Sequence, residues 1–309
     1  MESLKSAVEQ ALVGNTAATE LASAKINLAL HVTGRRADGY HQLETLAVFA
    51  DFGDVVSATP SADGKMRLSV KGPFASRLAA ETPAADNIVI RAAGALVRAA
   101  GAQKLPPMRL SLAKRIPIGA GLGGGSADAA ATLRLLDREW KLNLGPEKLA
   151  EIGIGLGADV PMCLASHPLV ATGIGETLAP VTGMPALAVV LAHPGIVLST
   201  AEVFAKLTDP ERAPLPPLPP RFGATLDVIF WLRRARNDLA EAAAAVNRNA
   251  AAPARVLMTD PECLFARMTG SGAAAFGVFV SMDAAERAAA RLREARPAWW
   301  VAAAMTRPS

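Results

Sequence analysis

Between Pro117 and Ala127 the chain reads Pro-Ile-Gly-Ala-Gly-Leu-Gly-Gly-Gly-Ser-Ala, with five glycines in the seven positions from Gly119 to Gly125. Glycine reaches positive φ without a steric penalty and leaves no side chain in the way of a ligand. Successive N–H groups can therefore turn into one concavity. The strongly helical stretch from Ser126 to Trp140 begins directly afterwards and adds the positive end of its dipole. The segment reads as a cradle for an anion such as a nucleotide triphosphate, with the Ser126 hydroxyl as a further donor. A flexible surface loop accounts poorly for glycines flanked by apolar residues and running into a helix. Gly119, Gly121 and Gly124 also satisfy the dinucleotide pattern G-x-G-x-x-G. That reading wants an apolar strand leading straight into the first glycine and an acidic residue about 20 positions on, at a strand end. Here Lys114-Arg115-Ile116-Pro117 intervenes, and Asp137 and Glu139 fall inside the apparent helix. A kinase loop remains, but not of the Walker type, because no lysine follows the glycines.

Length and composition set the frame for that loop. At 309 residues the chain exceeds a typical single domain, so two domains sharing a cleft are expected. Half the residues are hydrophobic (51%) and 19% are charged, enough for a packed core and contrary to disorder. The net charge of +4 suits an anionic small substrate. The densest basic cluster is Arg233, Arg234 and Arg236, too small a patch to point to nucleic acid. Cys163 and Cys263 lie far apart in apolar surroundings, and no histidine or cysteine spacing suggests zinc. The start Met1-Glu2-Ser3-Leu4-Lys5 has no secretory pattern, and no apolar run reaches the roughly 18 residues that span a bilayer. A cytoplasmic protein with no membrane partner is expected.

Along the chain, residues 1–20 read as a poorly anchored extension. Ile26, Leu28, Leu30 and Val32 then alternate with Lys25, Asn27, Ala29 and His31, the period of a half-buried strand. Further strands are expected at Leu43–Phe52, Met66–Val70, Met108–Leu112, Ala186–Ala192, Ala273–Val280 and Trp299–Ala304. Helices are expected at Asn87–Ala100, Pro146–Gly155, Asp238–Val246 and Ala284–Ala295. A short one carrying Phe204 follows the capping-box pattern of Ser199 to Glu202. The proline-rich stretch Ala213–Pro220 must be a loop. The pattern is α+β, with domains of about 21–180 and 181–309.

Four segments then stand in order. Ala24-Lys25-Ile26-Asn27-Leu28, followed by Thr33-Gly34-Arg35-Arg36-Ala37-Asp38-Gly39-Tyr40-His41, precedes the glycine-rich loop. Leu156-Gly157-Ala158-Asp159-Val160-Pro161 and Arg267-Met268-Thr269-Gly270-Ser271-Gly272-Ala273 follow it. This ordered set resembles the GHMP kinases and, among them, the subfamily acting on a cytidine-diphosphate-linked methylerythritol. The resemblance covers about residue 22 to the C-terminus. It implies a two-domain α+β GHMP fold with the active site in the interdomain cleft, ATP as phosphoryl donor and Mg²⁺ with the nucleotide.

The resemblance also implies roles. Asp159 would be the base that takes the acceptor proton, supported by Lys25. Pro117, Ile118, Gly119, Ala120, Gly121, Leu122, Gly123, Gly124, Gly125, Ser126 and Ala127 would wrap ATP, with Lys114 near the ribose or facing solvent. Tyr40 and His41 would recognise a cytosine, enclosed from the other domain by Phe204. Asn27 and Thr200 would contact the acceptor polyol or its phosphates. Taken singly, each has a plainer reading: Asp159 as a helix-end residue, Lys25 as a solvated strand residue, Tyr40 as a cap on the core, Phe204 as a helix core residue. No protein ligand for magnesium is assigned, and oligomeric state is open. A kinase for homoserine or mevalonate, a nicotinamide-dependent oxidoreductase and a non-catalytic nucleotide-binding protein are the alternatives. The Ala-Asp-Gly-Tyr-His context argues against the first. The strand pattern argues against the second, and the pair of Lys25 and Asp159 against the third.

Overall fold

The computed structural model describes residues 17–101 and 105–309. The start-of-chain readings for residues 1–16 lie outside the described residues. Strands β1 (Ala18–Arg35) and β2 (His41–Pro60) pair antiparallel along nearly their whole lengths and form the spine of the molecule. The free edge of β2 is shared. Its C-terminal part pairs with β4 (Met108–Ala113), which pairs parallel with β3 (Arg67–Lys71). Its N-terminal part pairs with β5 (Leu169–Gly173), which continues to β6 (Thr177–Pro180). A second, antiparallel sheet has the order β10 (Trp300–Met305), β7 (Ala188–His193), β9 (Ala275–Phe279), β8 (Cys263–Met268). Helices Ile88–Ala99 and Gly124–Glu139 pack on the first sheet, and Met282–Ala295 packs on the second. The fold is α+β.

The alternation around Lys25 suggests a half-buried strand, but both faces of β1 are buried from Ala22 to Val32. On one face Ala24, Ile26 and Leu28 join Val48, Leu191, Phe276 and Val278 in a core shared by the two sheets. Burying a side chain such as Ile26 or Phe276 contributes about 1.5–3 kcal/mol. The opposite face carries Lys25 and Asn27, which are buried because they line a cleft between the sheets. Periodicity reports polarity, and here the polar face lines a cleft rather than the outer surface.

Regular structure also begins earlier than expected. Ala18–Leu21 pair with Val55–Ala58, and Glu20 is held by Arg134 (2.8 Å) and Arg138 (3.0 Å) from the helix that follows the glycine-rich loop. The anchors lie more than a hundred residues away, out of reach of local pattern. Strands β5, β6 and β8 and the helices Ala75–Glu81, Val160–Ala165, Thr225–Leu232 and Ala252–Leu257 were not anticipated; most are short, and tertiary contacts rather than periodicity define them.

His193 ends β7 in a buried position, its Nδ1 accepting the N–H of Gly195 at 3.2 Å. Burial, aided by the charge of Arg77, lowers its pKa to about 4. A histidine held below its unfolded value near 6.5 adds stability that is fully present above 6.5 and is lost as pH falls toward 4. Urea unfolding should therefore show about 2 kcal/mol less stability at pH 5 than at pH 7 from this group. The His193→Asn variant, which retains an acceptor for Gly195, should lose that portion of the pH dependence.

Candidate active site

The glycine-rich loop runs from β4 to the helix Gly124–Glu139, and Gly119, Gly121 and Gly123 all have positive φ (68°, 76° and 65°). Two of these glycines are also needed for close approach. A Cβ on Gly121 would lie 2.8 Å from the carbonyl oxygens of Thr269 and Gly272, and one on Gly123 would lie 3.1 Å from the Lys25 Cβ. The turn Thr269–Gly272 therefore packs backbone against backbone on the loop, with Ala274 N–H donating to the Ala120 carbonyl at 3.0 Å. On the other side Lys25 N–H donates to the Leu122 carbonyl at 2.9 Å.

That contact delivers the Lys25 side chain to the loop. Its Nζ donates to Asp159 Oδ2 at 2.8 Å, with the lysine side chain 6% exposed and the aspartate 41%. Asp159 immediately precedes helix Val160–Ala165, but its carboxylate makes no capping hydrogen bond and stays available to Lys25. Asn27, two residues along the same face, donates from Nδ2 to Thr45 Oγ1 at 2.7 Å. The Thr45 hydroxyl donates to the Ala29 carbonyl, so it can only accept from Asn27, and the amide orientation follows. Asn27 Oδ1 is left without a partner in a cleft-lining residue.

The cleft has a volume of about 1530 Å³ and is lined on one side by strands of the first sheet and on the other by helix Thr200–Ala205 and the turn at Gly270 and Ser271. Lys25, Asn27, Asp159, Lys114, Thr200 and the residues Pro117–Ser126 all face it, whereas Ala127 is buried in the core. At one end the imidazole of His41 stacks on Phe204 from the opposite side, with ring centroids 5.1 Å apart and planes 25° apart. Burial and the neighbouring Arg35 charge hold His41 below its ordinary pKa, favouring the neutral ring. Tyr40 is 63% exposed at the rim, so it does not cap the core. Thr200 Oγ1 and Ser271 Oγ lie 2.9 Å apart and link helix Thr200–Ala205 to the turn on the glycine-rich loop.

A family model, the GHMP kinases N terminal domain, matches residues 87–167. The 4-diphosphocytidyl-2-C-methyl-D-erythritol kinase of Mesorhizobium japonicum is 48% identical over 91% of this chain and 93% of its own length. That of Chelativorans sp. is 44% identical over 94% of this chain and 96% of its own. The chain belongs to the 4-diphosphocytidyl-2-C-methyl-D-erythritol kinase family. A crystal structure of 4-(cytidine 5'-diphospho)-2C-methyl-D-erythritol kinase, 30% identical, superposes with a TM-score of 0.76 and covers 94% of this chain and 100% of that one. The cleft between the two sheets is thus the interdomain cleft of a GHMP kinase fold.

In this family member Lys114 lines the floor of the cleft but does not face solvent. It is buried between Asp54 (2.5 Å) and Asp128 (2.7 Å). Burial alone would lower its pKa, but the Asp128 and Asp54 carboxylates outweigh burial and hold the ammonium above lysine's ordinary value. Sequence reading passed over Asp54, Asp128 and Thr45, and took Asn87 only as a helix cap. Asn87 does cap the helix, accepting Val89 N–H at 3.0 Å, and it also lines the cleft. Asp128 carried a usable signal, as a lone charge within the small apolar run Ala127–Ala131. Thr45 and Asp54 carried none, since their partners come from other strands and loops.

The glycine positions separate by substitution. Gly121→Ala combines a strained positive φ with the backbone clash and should cost about 1–3 kcal/mol in denaturant unfolding. Gly125→Ala, which meets nothing within 4 Å and sits in a helix, should be neutral or stabilising by up to about 1 kcal/mol.

Proposed function

We propose that the chain transfers the γ-phosphate of ATP to the 2-hydroxyl of 4-diphosphocytidyl-2-C-methyl-D-erythritol, a step of the non-mevalonate route to isoprenoid precursors. The observation that carries this reading is the Lys25–Asp159 pair, 2.8 Å apart, with the Lys25 stem against Gly123 of the phosphate-binding loop. Phosphoryl transfer asks for positioning and charge stabilisation, and an alcohol acceptor gains from a nearby base. Asp159, the more exposed member, takes the proton of the acceptor hydroxyl. Lys25 holds the carboxylate in place and offsets the negative charge that develops on the phosphoryl group. The amides of residues 119–125 and the start of the following helix hold the phosphates. Asn27 Oδ1, oriented through Thr45, accepts from an acceptor hydroxyl, and Thr200 contributes beside it.

The cytosine end of the acceptor is assigned to His41, Tyr40 and Phe204. The base stacks between the rings of Tyr40 and Phe204, and the His41 imidazole, stacked on Phe204 in this structure, turns off that ring to hydrogen-bond the base edge. Mg²⁺ supplies charge neutralisation when it enters with ATP. Among the described residues no three histidine, cysteine or carboxylate side chains gather as a metal cage. That fits an ion carried mainly on phosphate oxygens and water, as is usual for Mg²⁺ with nucleotides. We infer further that the chain divides near residue 180, between the strand ending at Pro180 and the one beginning at Ala188. Among the described residues no helix is long and apolar enough to cross a membrane. A cytoplasmic enzyme with a small-molecule substrate and no nucleic-acid partner accords with this reading.

Acceptor-dependent ADP release with ATP and Mg²⁺ tests the proposal. Asp159→Asn should lower kcat by about 10²–10⁴ with the fold intact. Wild-type protein that binds ATP but releases no ADP with this acceptor would refute the substrate assignment. Phe204→Ala should raise the acceptor KM about tenfold or more, as loss of one stacking platform costs about 1–3 kcal/mol, while the KM for ATP stays put.

A further inference from the structure

Three buried charges lie beneath the glycine-rich loop. Asp54 Oδ1 accepts the N–H groups of Arg115 (2.5 Å) and Ile116 (2.8 Å), and its Oδ2 meets Lys114 Nζ at 2.5 Å. The same Nζ donates to Asp128 Oδ2 at 2.7 Å. Residues 114–116 lead into the loop, and Asp128 lies in the second turn of the helix that leaves it. One ammonium therefore ties together the two ends of the loop. The space is tight: a Cβ on Gly124 would lie 3.2 Å from Lys114 Nζ. All three side chains are nearly inaccessible, at 0% exposure for Asp54, 2% for Asp128 and 4% for Lys114.

We propose that Asp54 and Asp128 are positioning residues for nucleotide binding, which act through Lys114 to fix both ends of the glycine-rich loop in the geometry that holds the triphosphate. The inference rests on the ATP-dependent reading given above and extends it to residues that need not touch the nucleotide. A surface ion pair contributes little, but a buried one resists the removal of one partner, because the remaining charge is left stranded. The loop ends are thus held by an arrangement that is costly to open.

The charge count adds a second requirement. Two carboxylates and one ammonium leave a surplus negative charge beneath an anion cradle, which would repel phosphate. Asp54 uses both oxygens on three N–H donors, whereas among the described residues Asp128 Oδ1 has no hydrogen-bond partner. Burial raises the pKa of Asp128 well above the carboxylate range, with Lys114 opposing and Asp54 adding to the effect. Asp128→Asn keeps an oxygen that can accept from Lys114 Nζ and puts its amide nitrogen where Oδ1 has no partner to lose. In Asp54→Asn, by contrast, the amide must either turn its NH₂ donors toward the Lys114 ammonium or give up the two backbone N–H groups.

The test is titration of the intact enzyme with a non-hydrolysable ATP analogue, together with KM values for ATP and for the acceptor. Asp54→Asn and Asp128→Ala should each weaken analogue binding at least about tenfold while the acceptor KM stays within about twofold. Asp128→Asn should restore binding to within about threefold of wild type. Melting curves identify the folded variants; if Asp54→Asn does not fold, the Asp128→Ala and Asp128→Asn pair decides alone. Analogue affinity unchanged in folded Asp54→Asn or Asp128→Ala would overturn the proposal. So would Asp128→Asn as impaired as Asp128→Ala, or equal losses for both substrates with a lowered melting temperature. Wild-type protein that fails to bind the analogue would instead bring down the ATP-dependent reading, and this inference with it.

Discussion

The cleft is built on the approach of three backbones at its floor. The glycine-rich loop is pressed between β1 on one side and the turn Thr269–Gly272 on the other, at separations that admit no side chain on Gly121. Everything that distinguishes the cleft depends on that contact. It brings the Lys25 stem against Gly123 and ties the loop to the segment leading into β9 through the Ala274–Ala120 hydrogen bond. A bulkier loop would push the second sheet away and separate Thr200 and Phe204 from the residues of the first. Glycine is required here less for flexibility than for thinness.

Around this floor the protein manages charge by depth. Lys25 and Asp159 form a pair of unequal exposure, the lysine buried and the aspartate open to the cleft, so the carboxylate can meet a ligand without losing its partner. Lys114 and its two carboxylates are buried below the loop. Similar residue types thus serve different ends. Solvent access separates the Lys25–Asp159 pair, open on its aspartate side, from the buried Lys114 triad. The two cysteines stand apart from this chemistry. Burial raises the Cys163 thiol to about 12 and the Cys263 thiol to about 11, consistent with inert packing residues.

The end of the cleft at His41 and Phe204 follows another rule. The Tyr40–His41 turn lies at the start of β2, and Phe204 on a short helix after β7, so the stacked pair is assembled only when the two sheets pack. Its polarity is set by burial that keeps His41 neutral. A neutral imidazole offers one donor and one acceptor, and suits a nucleobase edge better than a cation would.

Much of this was legible in the sequence for identifiable reasons. The density of glycines, the helix that follows them and the ordered segments around Lys25, Tyr40, Asp159 and Gly270 are local, and chain-local chemistry is what a sequence displays. They determined the α+β class, and they single out residues that the structure gathers in one cleft. Tertiary structure alone decided which polar residues were buried and what they paired with. Lys114 reads as an exposed or ribose-facing cation until Asp54, 60 residues away, and Asp128, 14 away, close on it. The polar face of β1 reads as solvated until the glycine-rich loop and the turn Thr269–Gly272 cover it. Burial and long-range pairing depend on contacts between segments distant in the chain, and no local period or motif carries that information.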